Sequence, residues 1–195
     1  MLKSVFIAES VDPEDFYERR VDGHAANEIL KIRGLCTEYR IVLTKPLLIR
    51  AIKEAAAEGF QIFHLSAHGN DEGICLADET RLSWAELAKL LKRVSGPDSA
   101  LVMATCGGGD RNLTEALREA GATFGWVFGS TAEKVSFSDS CLAWSILYNR
   151  LARKNGFGRP ALKATLVAVN AAITGDFVYR RWDDEKGRYL RYPSA

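Results

Sequence analysis

Residues 61–69 read QIFHLSAHG and residues 101–109 read LVMATCGGG. Each is a short apolar run that stops at one reactive side chain followed by glycine: His68-Gly69 in the first, Cys106-Gly107 in the second. Apolar runs of this length, bounded by turn residues, read as buried strands. The segments between them carry helical spacing. Val5 to Ser10, VFIAES, is a short strand, and Asp12-Pro13 then marks an N-cap with proline in the first helical turn, opening a helix toward Leu30. Glu38 to Thr44 is a second strand. Leu48, Ile52 and Ala55 form the inner face of a second helix that Gly59 stops.

Beyond His68 the rhythm changes. GICLADETRL, Gly73 to Leu82, reads as a hairpin with an acidic tip, and Ser83-x-x-Glu86 is a capping box for the helix that follows. After Cys106, a helix opens near Asn112 and closes at Gly121, and GWVFGS, Gly125 to Ser130, is another strand. Two helices follow, about 138–153 and 161–173, and the tail reads as a hairpin over about 176–192 turning at Asp184 to Gly187. Alternating strands and helices imply an α/β fold: a mostly parallel sheet with helices on both faces. One domain over residues 1–195 is the simplest division.

The totals narrow the functional classes. Lys plus Arg (26) and Asp plus Glu (25) nearly cancel, which argues against nucleic acid as the main partner. No run reaches 18 apolar residues, so no membrane span is expected, and the apolar run in MLKSVFIAESVDPEDF is too short for a signal peptide. A cytoplasmic protein is the expectation. Cys36, Cys75, Cys106 and Cys141 are scattered without a C-x-x-C pair, so free thiols are expected and neither a disulfide frame nor a metal site. No cofactor is called for.

In a parallel sheet, ligands bind where the carboxyl ends of the strands emerge. If the strands ending at His68 and Cys106 are neighbours, an imidazole and a thiol meet there, and the imidazole can take the thiol's proton. Taken singly, a cysteine ending a core strand reads as a small hydrophobe and a histidine as a hydrogen-bonded structural residue. As a pair they make a candidate dyad, with the backbone N–H groups of Gly69 and Cys106 placed for a developing oxyanion.

FHLSAHG, the acidic hairpin, a helix beginning Leu82-Ser83 with the pattern EL-x-x-LL, and then LVMATCGGG resemble the caspase-like fold of clan CD cysteine peptidases. Within it the chain is most similar to the CHAT group, domains linked to bacterial defence and related to separase. The resemblance runs from about Gln61 to Ala143 and implies a three-layer α/β/α sandwich, His68 as general base and Cys106 as nucleophile, in a dyad needing no third carboxylate. The residues flanking the thiol, Ala104-Thr105 and Gly107, depart from the caspase pattern and argue against aspartate specificity. The resemblance also implies that GGGDRN and GSTAEKVSFSDS shape the substrate pocket, with Gly107 beside it and Asp110 or Asp139 as an acidic floor for Arg or Lys. Each acid has a second reading: Asp110 as a loop residue before the helix, Asp139 as a first-turn acid beside the helix dipole. Arg180, Arg181, Arg188 and Arg191, interleaved with Trp182, Tyr189 and Tyr192, read as a solvated hairpin, or else as a contact to nucleic acid or a partner.

The function this implies is cleavage of a protein or peptide substrate, in an effector that waits for an activating protein partner. Two alternatives stay open: a catalytically silent binding module, and a hydrolase of small amides or esters using the same dyad.

Overall fold

A computed structural model describes residues 2–153, 156–174 and 176–193. Seven strands form the central sheet: β1 (Ser4–Glu9), β2 (Cys36–Ile41), β3 (Ile62–Ser66), β7 (Gly96–Ala104), β8 (Phe124–Ser130), β9 (Phe177–Asp183) and β10 (Arg188–Tyr192). Their order is β10-β9-β8-β7-β3-β1-β2. The five strands from β8 to β2 are parallel, and the C-terminal hairpin adds two antiparallel strands at one edge. Three short strands, β4 (His68–Gly69), β5 (Gly73–Cys75) and β6 (Arg81–Ser83), make a second sheet beside the first.

The alternation of side chains along each strand divides the core. Phe63 and Leu65 of β3 face one layer with α3 (Lys45–Glu58), α4 (Trp84–Leu91) and α5 (Arg111–Ala120). Ile62 faces the other, with α2 (Asp22–Ile32), α6 (Phe137–Leu151) and α7 (Arg159–Ala172). Both faces are covered, which is why β3 reads as a continuous apolar run. The architecture is the α/β/α sandwich expected of a caspase-like fold. Local signals hold closely: the Ser83–Glu86 capping box makes both of its reciprocal bonds, and Gly59 and Gly121 end α3 and α5 in the left-handed conformation.

The first helix differs from its sequence reading. Instead of one helix toward Leu30 there are two, α1 (Pro13–Tyr17) and α2, separated by a turn in which Arg19 takes a φ of 59°. The break opens a helix N-terminus at Asp22, and Glu9 at the end of β1 fills it. Glu9 Oε1 accepts the N–H of Gly23 at 2.7 Å, and Oε2 accepts that of His24 at 3.0 Å and the Tyr39 hydroxyl at 2.6 Å. These satisfy donors that a helix start leaves free.

Glu9 is fully buried, and burial pushes its carboxyl up to about 7, despite the hydrogen bonds that favour its charge. His64, on the α6 face of β3, is also buried; its Nδ1 lies 2.6 Å from the Tyr148 hydroxyl, and its Nε2 meets no partner among the described residues. Burial lowers it to about 4. The two shifts oppose each other in stability. Between pH 4.5 and 7 Glu9 keeps a proton when folded that it loses when unfolded, so its contribution is full below 4.5 and is lost as pH rises. Between pH 4 and 6.5 His64 is protonated only when unfolded, so its contribution is lost in acid and returns as pH rises. Each is worth on the order of 3 kcal/mol. Denaturant unfolding between about pH 4.5 and 6.5 should therefore show a nearly flat profile for the native chain. With Glu9→Gln stability should rise with pH, and with His64→Asn it should fall; the slope rather than the absolute stability is the readout.

Candidate functional site

β3 and β7 are adjacent and parallel, with Ser66 opposite Ala104. The ladder runs one bond further, from the Ala67 N–H to the Ala104 carbonyl at 3.2 Å. Two residues past Ser66 and Ala104 come His68 and Cys106, so both emerge at the carboxyl edge of neighbouring strands. They line one cleft. His68 is half exposed and Cys106 partly buried, so both reach solvent.

The backbone around them is held from both sides. His68 and Gly69 leave the main sheet to pair with β5, opposite Cys75 and Ile74. Asn70 donates to the Gly73 carbonyl at 3.0 Å, so by the alternation of an antiparallel ladder the Gly69 N–H points away from β5. The Cys106 N–H has no acceptor among the described residues. Gly107 follows with a φ of 71°, a conformation that disfavours side chains, and a Cβ there would lie 2.8 Å from the Asn70 carbonyl oxygen. Its N–H is held by the Ala132 carbonyl at 3.2 Å, which fastens the loop before α6 to the turn after Cys106.

His68 is not alone with the thiol. Its Nε2 lies 2.7 Å from Asp15 Oδ2 and 3.3 Å from Asp12 Oδ2. Both carboxylates sit at the start of α1, where Asp12 Oδ1 caps the helix by accepting the Asp15 N–H at 2.8 Å. Asp15 is nearly buried, and its Oδ1 is paired with Arg20 at 3.0 Å. The Phe137 ring meets the imidazole edge-on, 6.1 Å between centroids. The carboxylates are a departure from the dyad that the sequence resemblance implies. Only the Asp12-Pro13 cap was visible in the sequence; the contact of these acids with His68, more than fifty residues away, carries no local mark.

The cleft is lined by a further carboxylate, Asp22. Asp22, only 2% exposed, accepts from the hydroxyl of Ser66 at 2.5 Å and from that of Ser140, which in turn accepts the Trp144 indole N–H at 2.8 Å. Among the described residues no Lys or Arg forms an ion pair with Asp22. Its hydrogen-bond partners among the described residues are two serine hydroxyls, whose dipoles replace hydration only in part.

The structure places the two acids named from the sequence outside this cleft. Asp110 stands at the N-cap of α5, one residue before a helix that opens at Arg111 rather than Asn112, and burial raises its carboxyl against the opposing pull of Arg180. Asp139 lies in the first turn of α6 and accepts from the Thr174 hydroxyl at 2.8 Å. The carboxylates that do line the cleft are Asp15 and Asp22.

Among the described residues, no helix is long and apolar enough to cross a membrane. No protein-family model matches this sequence, and no curated protein matches it. Among solved structures the fold is similar to the complex of the pro- and mature domains of RgpB from Porphyromonas gingivalis, with a TM-score of 0.53 and 15% identity. The match covers 87% of this chain and 43% of that one, so this chain spans less than half the length of its structural neighbour. At that identity the likeness is one of fold, and the fold shared is the caspase-like α/β/α sandwich.

Proposed function

We propose that the chain is a cysteine peptidase that cuts after a basic residue, with Cys106 as nucleophile, His68 as base and Asp15 as the residue that positions the imidazole. The observation that carries this reading is the shared cleft. Two residues of complementary chemistry end adjacent parallel strands, and a nearly buried carboxylate sits on one ring nitrogen.

The chemistry follows from those positions. Asp15 accepts the Nε2 proton, which fixes the tautomer and leaves Nδ1 to take the proton of the Cys106 thiol. The thiolate adds to the substrate carbonyl, and the charge growing on the oxygen is met by the N–H groups of Gly69 and Cys106. The imidazolium gives its proton to the leaving amine, and water then releases the acyl group from sulfur. Asp22 accounts for selectivity: a substrate guanidinium or ammonium reaching it supplies the cation that this carboxylate lacks. The caspase-like fold shared with that structure supports a hydrolase of this class. Placement in the CHAT group, a defence role and an activating partner rest on the sequence resemblance.

Peptide electrophiles ending in Arg, Lys, Leu or Asp provide the test, read as adduct mass over time. Cys106 is expected to label ahead of Cys36, Cys75 and Cys141, with no such adduct in Cys106→Ala and roughly 100-fold slower labelling in His68→Ala. Labelling of Cys106 no faster than of the other thiols would favour the silent binding module. Asp22→Asn should slow the Arg and Lys probes by roughly 100-fold while leaving the Leu probe within about twofold. Equal losses for all probes would remove Asp22 from recognition. New protein termini in a lysate digest, absent with Cys106→Ala, separate a peptidase from a hydrolase of small amides.

A further inference from the structure

Among the described residues, Asp12, Asp15 and His68 each offer one donor atom, and the three atoms lie within 4.8 Å of one another. The imidazole nitrogen makes this more than a group of acids. Each carboxylate is anchored through one oxygen, Asp12 Oδ1 on the Asp15 N–H and Asp15 Oδ1 on Arg20, and turns its Oδ2 toward His68 Nε2. The donors are therefore oriented before any ion arrives, as outer hydrogen bonds orient the ligands of known metal sites. We propose that these three residues form a binding site for a divalent ion of the zinc class, and that its occupancy takes His68 out of use.

The donor set and the spacing both suit such an ion. One imidazole and two carboxylates favour zinc over magnesium or calcium, which prefer oxygen alone. Ligand bonds of about 2.0–2.1 Å in a tetrahedron put donor atoms about 3.3 Å apart. Asp12 Oδ2 and His68 Nε2 already stand at 3.3 Å, and Asp15 Oδ2, at 2.7 Å, has to withdraw by roughly half an ångström. Water completes the coordination. When Nε2 binds the ion, its proton moves to Nδ1, and an imidazole with Nδ1 protonated has no lone pair for the Cys106 thiol. The binding rests on geometry alone; the blockade rests on the peptidase reading.

The experiment separates the two. Metal-free protein is titrated with zinc against a chromophoric chelator, and in parallel the rate of Cys106 labelling is read with and without zinc. One ion per chain is expected for the native sequence and for Cys106→Ala. Asp12→Asn keeps a good N-cap and should weaken binding by roughly 10-fold or more. Zinc should slow labelling of the native chain and slow that of Asp12→Asn only at correspondingly higher concentration. No zinc bound at about 100 μM, equal binding by Asp12→Asn, or loss of binding in Cys106→Ala would each overturn the site, the last by placing the ion on the thiol. Binding that depends on Asp12 in a chain whose Cys106 labels slowly in all conditions would keep the metal site and remove the peptidase reading.

Discussion

Ser66 lies opposite Ala104 in a parallel ladder, and that register governs the rest of the site. Parallel strands start and end at the same edge, so side chains at equal distances past paired residues emerge together. A shift of one residue would turn His68 or Cys106 to the opposite face of the sheet. The register is secured by the core on both sides. Phe63, Leu65, Leu101 and Met103 pack on one face, and Ile62, Ala100 and Val102 on the other. Slipping either strand would expose one set and strand the other.

The same edge receives the end of β1, and there the structure spends its buried charge. Glu9 closes the N-terminus of α2. The turn at 18–21 separates α1, whose start carries Asp12 and Asp15 on the imidazole, from α2, whose first residue, Asp22, lines the same cleft. Glu9, Asp22 and His64 lie in one electrostatic neighbourhood, in which the Asp22 charge raises Glu9 and moderates the fall of His64. The cleft is therefore built on buried polar groups whose desolvation is offset by hydrogen bonds to helix N–H groups, hydroxyls and a tyrosine.

Legibility differed by element. The strands β3 and β7, the hairpin of β5 and β6, the capping box and the C-terminal hairpin were all readable, because each rests on periodicity or a cap within a few residues. His64 lies on the face of β3 opposite Phe63 and Leu65, against α6, as strand alternation requires. The incorporation of the C-terminal hairpin into the central sheet was not readable: Trp126 opposite Arg181 is a pairing over more than fifty residues with no local mark. Asp15 and Asp22 escaped for a related reason. Arg19 gives no sequence sign of its left-handed backbone, without which Asp22 falls in the middle of a helix, and the pairing of Asp15 with His68 spans 53 residues.

The sequence by itself determined the α/β alternation, the two strands that end on His68 and Cys106, and the glycines that let the chain turn after each. Those depend on hydrophobic period and local backbone freedom, which a few neighbouring residues carry. Only the tertiary structure decided which strands are neighbours, which carboxylates meet the imidazole, and that Asp22 rather than Asp110 or Asp139 lines the cleft. These are contacts between segments far apart in the chain, chosen by how two helical layers bury both faces of one sheet, and no local pattern encodes them.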